Sequence, residues 1–461
     1  MTGTSLASTG SSLTLRRLEL AATDDVTKRE LDELVRRGAV PDPKVRDAAR
    51  AMLDEVRLGG SSALRQASAQ YGGGSATGAL LVGPAEMRRA AASVSHDVRR
   101  ALDQAIENVR RFAETQRPLT SRTTILPGVE IERRWRPLRR VGCYVPGGSA
   151  PYPSSLIMTV VPAQVAGVAE IVVASPADPN GAVDPVLLAA AGVLEIDGLL
   201  VAGGAQAIGA LAFGLPDEGL APVDRIVGPG NAWVTAAKIE VSSIVGIDLP
   251  AGPSEGMVLA DSTADPILVA ADLVTQAEHG PDSPAILVTT DRALADVVEA
   301  EIDRLLPSLE RRAILERALR EHGRIVIAPD IDAAIAFVNT YAPEHLSVDV
   351  ADLEAVVERL DSAGSLFVGP WAPESAGDYA TGANHVLPTG GLARSCGPLS
   401  VETYGRFSQV QRIDRAGLAS IAETIGTLAT AEGLTAHRNA VEVRFRASAA
   451  QKDAVSTAPD R

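Results

Sequence analysis

The chain is predicted to be an α/β protein with two consecutive incomplete Rossmann-like parallel-sheet units, preceded by a helical N-terminal lead-in and followed by a helical C-terminal tail. Three observations predict this. Short Val/Ile/Leu-rich runs, each closed by Gly or Pro and followed by an Ala-rich helical stretch, recur through the middle of the sequence. Alternation of this kind demands parallel strands joined by right-handed crossovers. Before these runs apolar residues fall at three- and four-residue spacing, and after about Leu392 the strand pattern ends.

Taken in order, residues 1–20 read as a disordered tail, because Met1 to Thr14 are rich in Ser, Thr and Gly and lack the basic-then-apolar order of a secretory signal. Residues 21–119 form the lead-in, with Val45, Ala49, Met52, Leu53 and Val56, then Val98, Leu102, Ala105, Val109 and Phe112, at helical spacing. It is expected to pack on the second α/β unit. The first unit, 120–253, begins with half-exposed alternation from Gly128 to Arg140 and continues with buried-type strands at 170–174, 198–202 and 223–227. The joint lies at 248–254, where Gly and two prolines mark a tight loop. The second unit, 254–393, carries strands at 256–260, 285–289, 324–328 and 365–368, with helices at 264–278 and 331–339. Two such units suggest an internal duplication, although no residue-level repeat connects them. Residues 394–447 form the helical tail, and 448–461 read as disordered.

Composition narrows the class. At 461 residues the chain exceeds the size at which single cores stop growing, and a 46% hydrophobic content can fill more than one. Aromatics are only 3%, leaving the packing to Ala, Val, Leu and Ile. A net charge of −15 opposes a nucleic-acid surface, which needs clustered Lys and Arg. No apolar stretch is long enough to span a bilayer, so no membrane partner is expected. The two cysteines, Cys143 and Cys396, are too few and too far apart for a thiolate metal site or a disulfide framework, which points to a reducing, cytoplasmic setting.

Four of the six histidines, His279, His345, His385 and His437, sit in short polar stretches dense in carboxylates. Imidazole and carboxylate together can hold a divalent metal or move protons near neutral pH, so the clustering points to a catalytic site. Gln276 and His279, three apart at a helix end, can converge on one ion. Asp378 and His437 could join them only through the fold. Glu344 and His345 are neighbours in a loop opened by Pro343, which points them different ways. They read either as two proton-handling groups with separate jobs or as a surface pair.

Ligands bind outside the C-terminal ends of parallel strands, and three loops there are glycine-rich: 144–148, 203–209 and 228–231. Each opens a helix whose first N–H groups can face an anion, as a phosphorylated cofactor requires. None matches G-x-G-x-x-G, and strand-to-helix turns use glycine in any case.

Gly252-Pro253-Ser254-Glu255, the block from Gln276 to His279, Tyr341 to Leu346, Glu374 to Tyr379, Asn384 to Thr389 and Glu432 to His437 together resemble the L-histidinol dehydrogenase family, over roughly residues 15–446. The resemblance implies an NAD-dependent four-electron oxidation of L-histidinol to L-histidine through L-histidinaldehyde, the last steps of histidine biosynthesis. It implies one Zn2+ per subunit on Gln276, His279, Asp378 and His437, with Glu344 and His345 as the catalytic acid/base pair. Ser254, His385 and Glu432 match substrate-contacting positions, joined by Gln276, His279, His345, Asp378 and His437. Tyr144, Gln206 and Asn231 match positions that contact NAD. Cys143 lies outside these blocks and is expected to be a packed residue without a thiohemiacetal role. The resemblance also implies an intertwined homodimer in which the tail bearing Glu432 and His437 completes the other subunit's site. The alternatives are a zinc- and NAD-dependent dehydrogenase of another polar alcohol on the same fold, and an idle scaffold that has kept it.

Overall fold

The structure is a computed structural model describing residues 13–147, 151–178 and 180–456, with side chains through residue 446. Gly148, residues 1–12 and residues 457–461, on which parts of the loop and tail expectations fall, lie outside the described residues. The chain divides into two compact units, one of residues 1–117 and 138–404, the other of residues 118–137 and 405–461.

The larger unit holds two six-stranded sheets. In the first, strands run in the order Leu81–Val82, Gly198–Val201, Glu170–Ser175, Arg140–Tyr144, Arg225–Val227, Gly246–Ile247. All its pairs are parallel except that of Leu81–Val82, which joins the edge antiparallel. The second sheet is wholly parallel, in the order Arg16–Glu19, Arg324–Ile327, Ala285–Thr289, Gly256–Ala260, His345–Asp349, Ser365–Val368.

Both sheets are covered on both faces, which is why strands such as Gly198–Val201 and Gly256–Ala260 read as unbroken apolar runs. In the first, Val141, Cys143, Val173 and Leu199 enter one core while Val172, Ala174, Leu200 and Ile226 enter the other. In the second, Val258, Leu287 and Ile325 face one core, and Met257, Leu259, Ile286 and Val326 the opposite one. Successive side chains of a strand point to opposite faces, so each run feeds two cores.

Four expectations need correction. Arg16–Glu19, placed in the N-terminal tail, is an edge strand of the second sheet; Leu13, Leu15 and Leu18 are buried and seal it. The lead-in packs mainly on the first α/β unit. Leu53 and Val56 of helix Pro43–Tyr71 join Ala205 and Ile208, while Met87, Leu102 and Val109 join the core on the other face. Helix Asp25–Val35 lies instead against helix Ile331–Tyr341 of the second. The helical spacing found most of those faces, although Phe112 stays exposed, but carried no information about which sheet they meet.

The third correction concerns residues 120–137, assigned to the first α/β unit, and the fourth the tail. Ser121–Leu126, Val129–Pro137 and Gly405–Ile413 form a separate three-stranded antiparallel ribbon in the smaller unit. Gly405–Ile413 escaped notice because the sequence GRFSQVQRI carries too few apolar residues to stand out as a strand. Helices Arg415–Ala431 and Thr435–Ser456 follow, packed on one another, so the backbone is helical well past residue 447.

Candidate active site

The inner strands of the second sheet begin beside a buried polar cluster. Gly256 pairs with His345 across two adjacent inner strands, and helix Pro266–Ala277 delivers Gln276 to the same place. A Cβ on Gly256 would stand 2.5 Å from Oε1 of Gln276. Glycine there is what lets the amide lie over the strand. Gln276, Glu344, His345 and Glu374 are all buried.

The hydrogen bonds define orientation. Glu344 Oε2 accepts from Ser254 Oγ at 2.8 Å and from the N–H of Glu255 at 2.9 Å. Gln276 Nε2 donates to Ser254 Oγ at 3.3 Å. Its Oε1 lies 3.2 Å from His345 Nδ1, and an amide oxygen can only accept, so Nδ1 carries the hydrogen in that contact. Nε2 of His345 is therefore the basic nitrogen, buried without a protein partner. His345 opens the strand His345–Asp349 and does not diverge from Glu344: Nδ1 and Oε2 are 3.7 Å apart.

His279 follows the end of its helix, with Nδ1 3.2 Å from the Gln276 carbonyl and 3.6 Å from Glu374 Oε1. Its Nε2 is 4.0 Å from Asp378 Oδ2. The donor atoms of His279, Glu374 and Asp378 all lie within 4.8 Å of one another. Buried polar atoms are normally paired, yet Glu374 Oε1, His345 Nε2 and His385 Nε2 have no hydrogen-bond partner. This donor set of imidazole, carboxylate and amide oxygen fits a divalent metal together with a ligand rich in hydrogen-bonding groups.

Glu374 was not singled out in the sequence. It stands four residues before Asp378 on the short helix Glu374–Tyr379, so both carboxylates share a face, and that spacing was the available signal. Asn384 fixes the His385 segment by donating to the Met158 carbonyl at 2.8 Å.

Burial dominates the electrostatics. It pushes the Glu344 carboxyl well above its ordinary range, against the opposing bonds from Glu255 and Ser254. Glu374 is raised in the same way, with Asp378 and Glu344 adding repulsion. His345 is driven well below the ordinary histidine value by burial and then by His279 and His385, so its imidazole is neutral.

Tyr144, Gln206 and Asn231 line a separate cavity of about 1170 Å³ in the larger unit, beside the glycine loops. The Tyr144 hydroxyl accepts the N–H of Gly204 at 3.1 Å, and Asn231 Oδ1 caps the helix Ala232–Val241 through Trp233 and Val234. The buried ammonium of Lys238 donates to the Gly228 carbonyl and pairs with Asp248, whose other oxygen accepts the Gly228 N–H, so this turn is locked. Cys143 is fully buried, its thiol pushed up to about 12. Glu432 and His437 lie in the smaller unit, at the end of helix Arg415–Ala431 and in the first turn of the next; both are exposed. Among the described residues no helix is long and apolar enough to cross a membrane.

Comparison with known proteins places the chain. The sequence profile of histidinol dehydrogenase matches residues 35–445. The histidinol dehydrogenase of Halobacterium salinarum is 46% identical over 429 residues, 93% of this chain and 99% of that protein. That of Mycobacterium bovis is 44% identical over 437 residues, covering 94% and 98%. The crystal structure of histidinol dehydrogenase from Elizabethkingia anophelis superposes with a TM-score of 0.86 at 36% identity, covering 94% of this chain and 98% of that one.

Proposed function

The chain belongs to the histidinol dehydrogenase family, and on that premise we propose that it oxidises L-histidinol to L-histidine through L-histidinaldehyde, using two NAD and one water and releasing two NADH and three protons. The observation that carries the reading is the convergence of Gln276, His279, Asp378, Glu344 and His345 on one polar cluster in which Glu374 Oε1 and His345 Nε2 are buried without hydrogen-bond partners. Zinc held by Gln276, His279 and Asp378, with His437 of the partner subunit, would supply a positive centre that orients and polarises substrate donors. NAD in the cavity lined by Tyr144, Gln206 and Asn231 would accept hydride.

His345 Nε2, neutral and with its tautomer set by Gln276, takes the proton of the substrate hydroxyl as hydride leaves the same carbon. The first step ends in an aldehyde. Glu344, clamped by Ser254 Oγ and the Glu255 N–H, then takes a proton from the water that attacks this aldehyde. Its raised pKa makes it a stronger base than an exposed carboxylate once ionised. The hydrate loses a second hydride to give the carboxylate. Ser254 and His385, with Glu432 of the partner subunit, contact the substrate, and the protein works as a cytoplasmic homodimer.

The test is to incubate zinc-loaded protein with histidinol and NAD and count NADH. Two per substrate are expected. One would refute the four-electron reaction, and no turnover with histidinol but turnover with another amino alcohol would favour a different substrate. Sharing of the site is tested by pairing an E344Q/H345N subunit with an E432Q/H437N subunit. A shared site leaves one of two sites wholly native and restores about a quarter of wild-type activity after random exchange. No recovery in confirmed heterodimers would overturn it.

A further inference from the structure

Arg37 stands outside every block of sequence that carries the chemistry, just after helix Asp25–Val35, yet its side chain is partly buried against the catalytic strands. We propose that Arg37 is a positioning residue for both Glu344 and His345, acting through Glu255; this rests on the reading that those two residues perform the proton transfers.

The guanidinium grips the Glu255 carboxylate with both arms, Nε to Oε2 at 2.6 Å and Nη2 to Oε1 at 2.5 Å. The same carboxylate accepts the N–H of Gly390 at 3.1 Å, so it is fixed from two directions. Once held, residue 255 offers its backbone to the catalytic pair. Its N–H donates to Glu344 Oε2 at 2.9 Å, and its carbonyl accepts the His345 N–H at 3.2 Å.

Arg37 also reaches the catalytic pair along the chain that precedes it. Nη1 donates to the Tyr341 carbonyl at 2.8 Å and Nη2 to the Ala342 carbonyl at 3.4 Å, while the guanidinium lies 3.2 Å over the Tyr341 ring. Ala342 has φ +54°, a left-handed conformation that a Cβ-bearing residue adopts only when its surroundings hold it there. That turn aims Glu344. One planar group thus ties the start of strand Gly256–Ala260 to the turn entering strand His345–Asp349, whose first residues lie in register.

A salt bridge serving stability alone would need only the charge. This site uses what lysine cannot offer together: a planar fork, a stacking face and spare N–H groups for carbonyls. Loosening it should let residue 255 and the Ala342 turn drift, leaving the NAD contacts in place.

Arg37→Lys, Arg37→Ala and Glu255→Gln, made in the full-length zinc-loaded protein, test this. For each, kcat is expected to fall about 10- to 100-fold for both alcohol and aldehyde oxidation, as when groups that orient a ligand shell are removed. KM for NAD should stay within about twofold, because none of these residues lines its cavity. Millimolar guanidinium should raise kcat of Arg37→Ala and leave Arg37→Lys unchanged. Wild-type kcat in Arg37→Lys, a loss confined to KM, or no rescue of Arg37→Ala would overturn the proposal. Should either arginine variant fail to fold, Glu255→Gln decides by the same kcat and KM criteria. Full activity in Glu344→Gln would instead overturn the assignment of the catalytic pair, a separate failure.

Discussion

Gly256→Ala is the smallest perturbation that should disable the site while sparing the fold. The added Cβ would meet Gln276 Oε1 at 2.5 Å, Cγ at 2.7 Å and Cδ at 2.8 Å, where ordinary contact begins at 3.4 Å. The amide must therefore retreat by about 0.9 Å to restore van der Waals distance. Its oxygen is both the acceptor for His345 Nδ1 and the proposed metal donor, so one shift disturbs two functions. A displacement of about 1 Å in a positioned group costs roughly a hundredfold in rate, and overpacking costs about 1–3 kcal/mol of stability. Turnover with histidinol, zinc retained after dialysis and thermal unfolding should be measured on one preparation. The expected outcome is a kcat/KM about a hundredfold lower, reduced zinc retention, and a Tm only a few degrees down. Gly198→Ala is the control, since nothing lies within 4 Å of its added Cβ. Wild-type activity and zinc retention in Gly256→Ala would refute the placement of Gln276 over the strand.

Glu344→Gln should slow oxidation of supplied histidinaldehyde more than the first hydride transfer, whereas His345→Asn should slow both; stopped-flow NADH traces from alcohol and aldehyde separate the two, and equal effects would contradict the division of labour. Cys143→Ala should keep at least half the wild-type kcat, and Cys143 should resist alkylation at pH 8 in the folded protein because its thiol is buried and held up to about 12; peptide mapping after iodoacetamide checks this. Asp272 is mostly buried, which pushes its carboxyl up to about 6 from 3.8. The folded state thus binds its proton more tightly, so stability is favoured at low pH and falls as pH rises from about 4 through 6, by up to about 3 kcal/mol. Asp272→Asn should remove this slope and raise Tm at pH 8 but hardly at pH 4, as scanning calorimetry would show.

Much of the fold was legible because its strands are buried on both faces. Ile171 to Ala174 or Ile286 to Val288, too short to span a bilayer, can be little else, and the helices between them follow from short connections. The polar blocks from Gln276 to His345 were equally legible, since histidine beside carboxylate in glycine- and proline-marked loops is rarely needed for packing. What remained hidden were the long-range choices. The sequence could not show that Arg16–Glu19 adds the edge strand beside Arg324–Ile327, nor that Leu53 and Val56 cover the first sheet. An amphipathic face states that it must be buried, but many partners satisfy it equally. Glu374 and Arg37 were passed over for a related reason: a charged residue in sequence looks solvated until tertiary structure removes the water around it. Only the fold decides which carboxylate is left with a bare oxygen facing two imidazoles, and which arginine reaches Glu255 and the turn before His345.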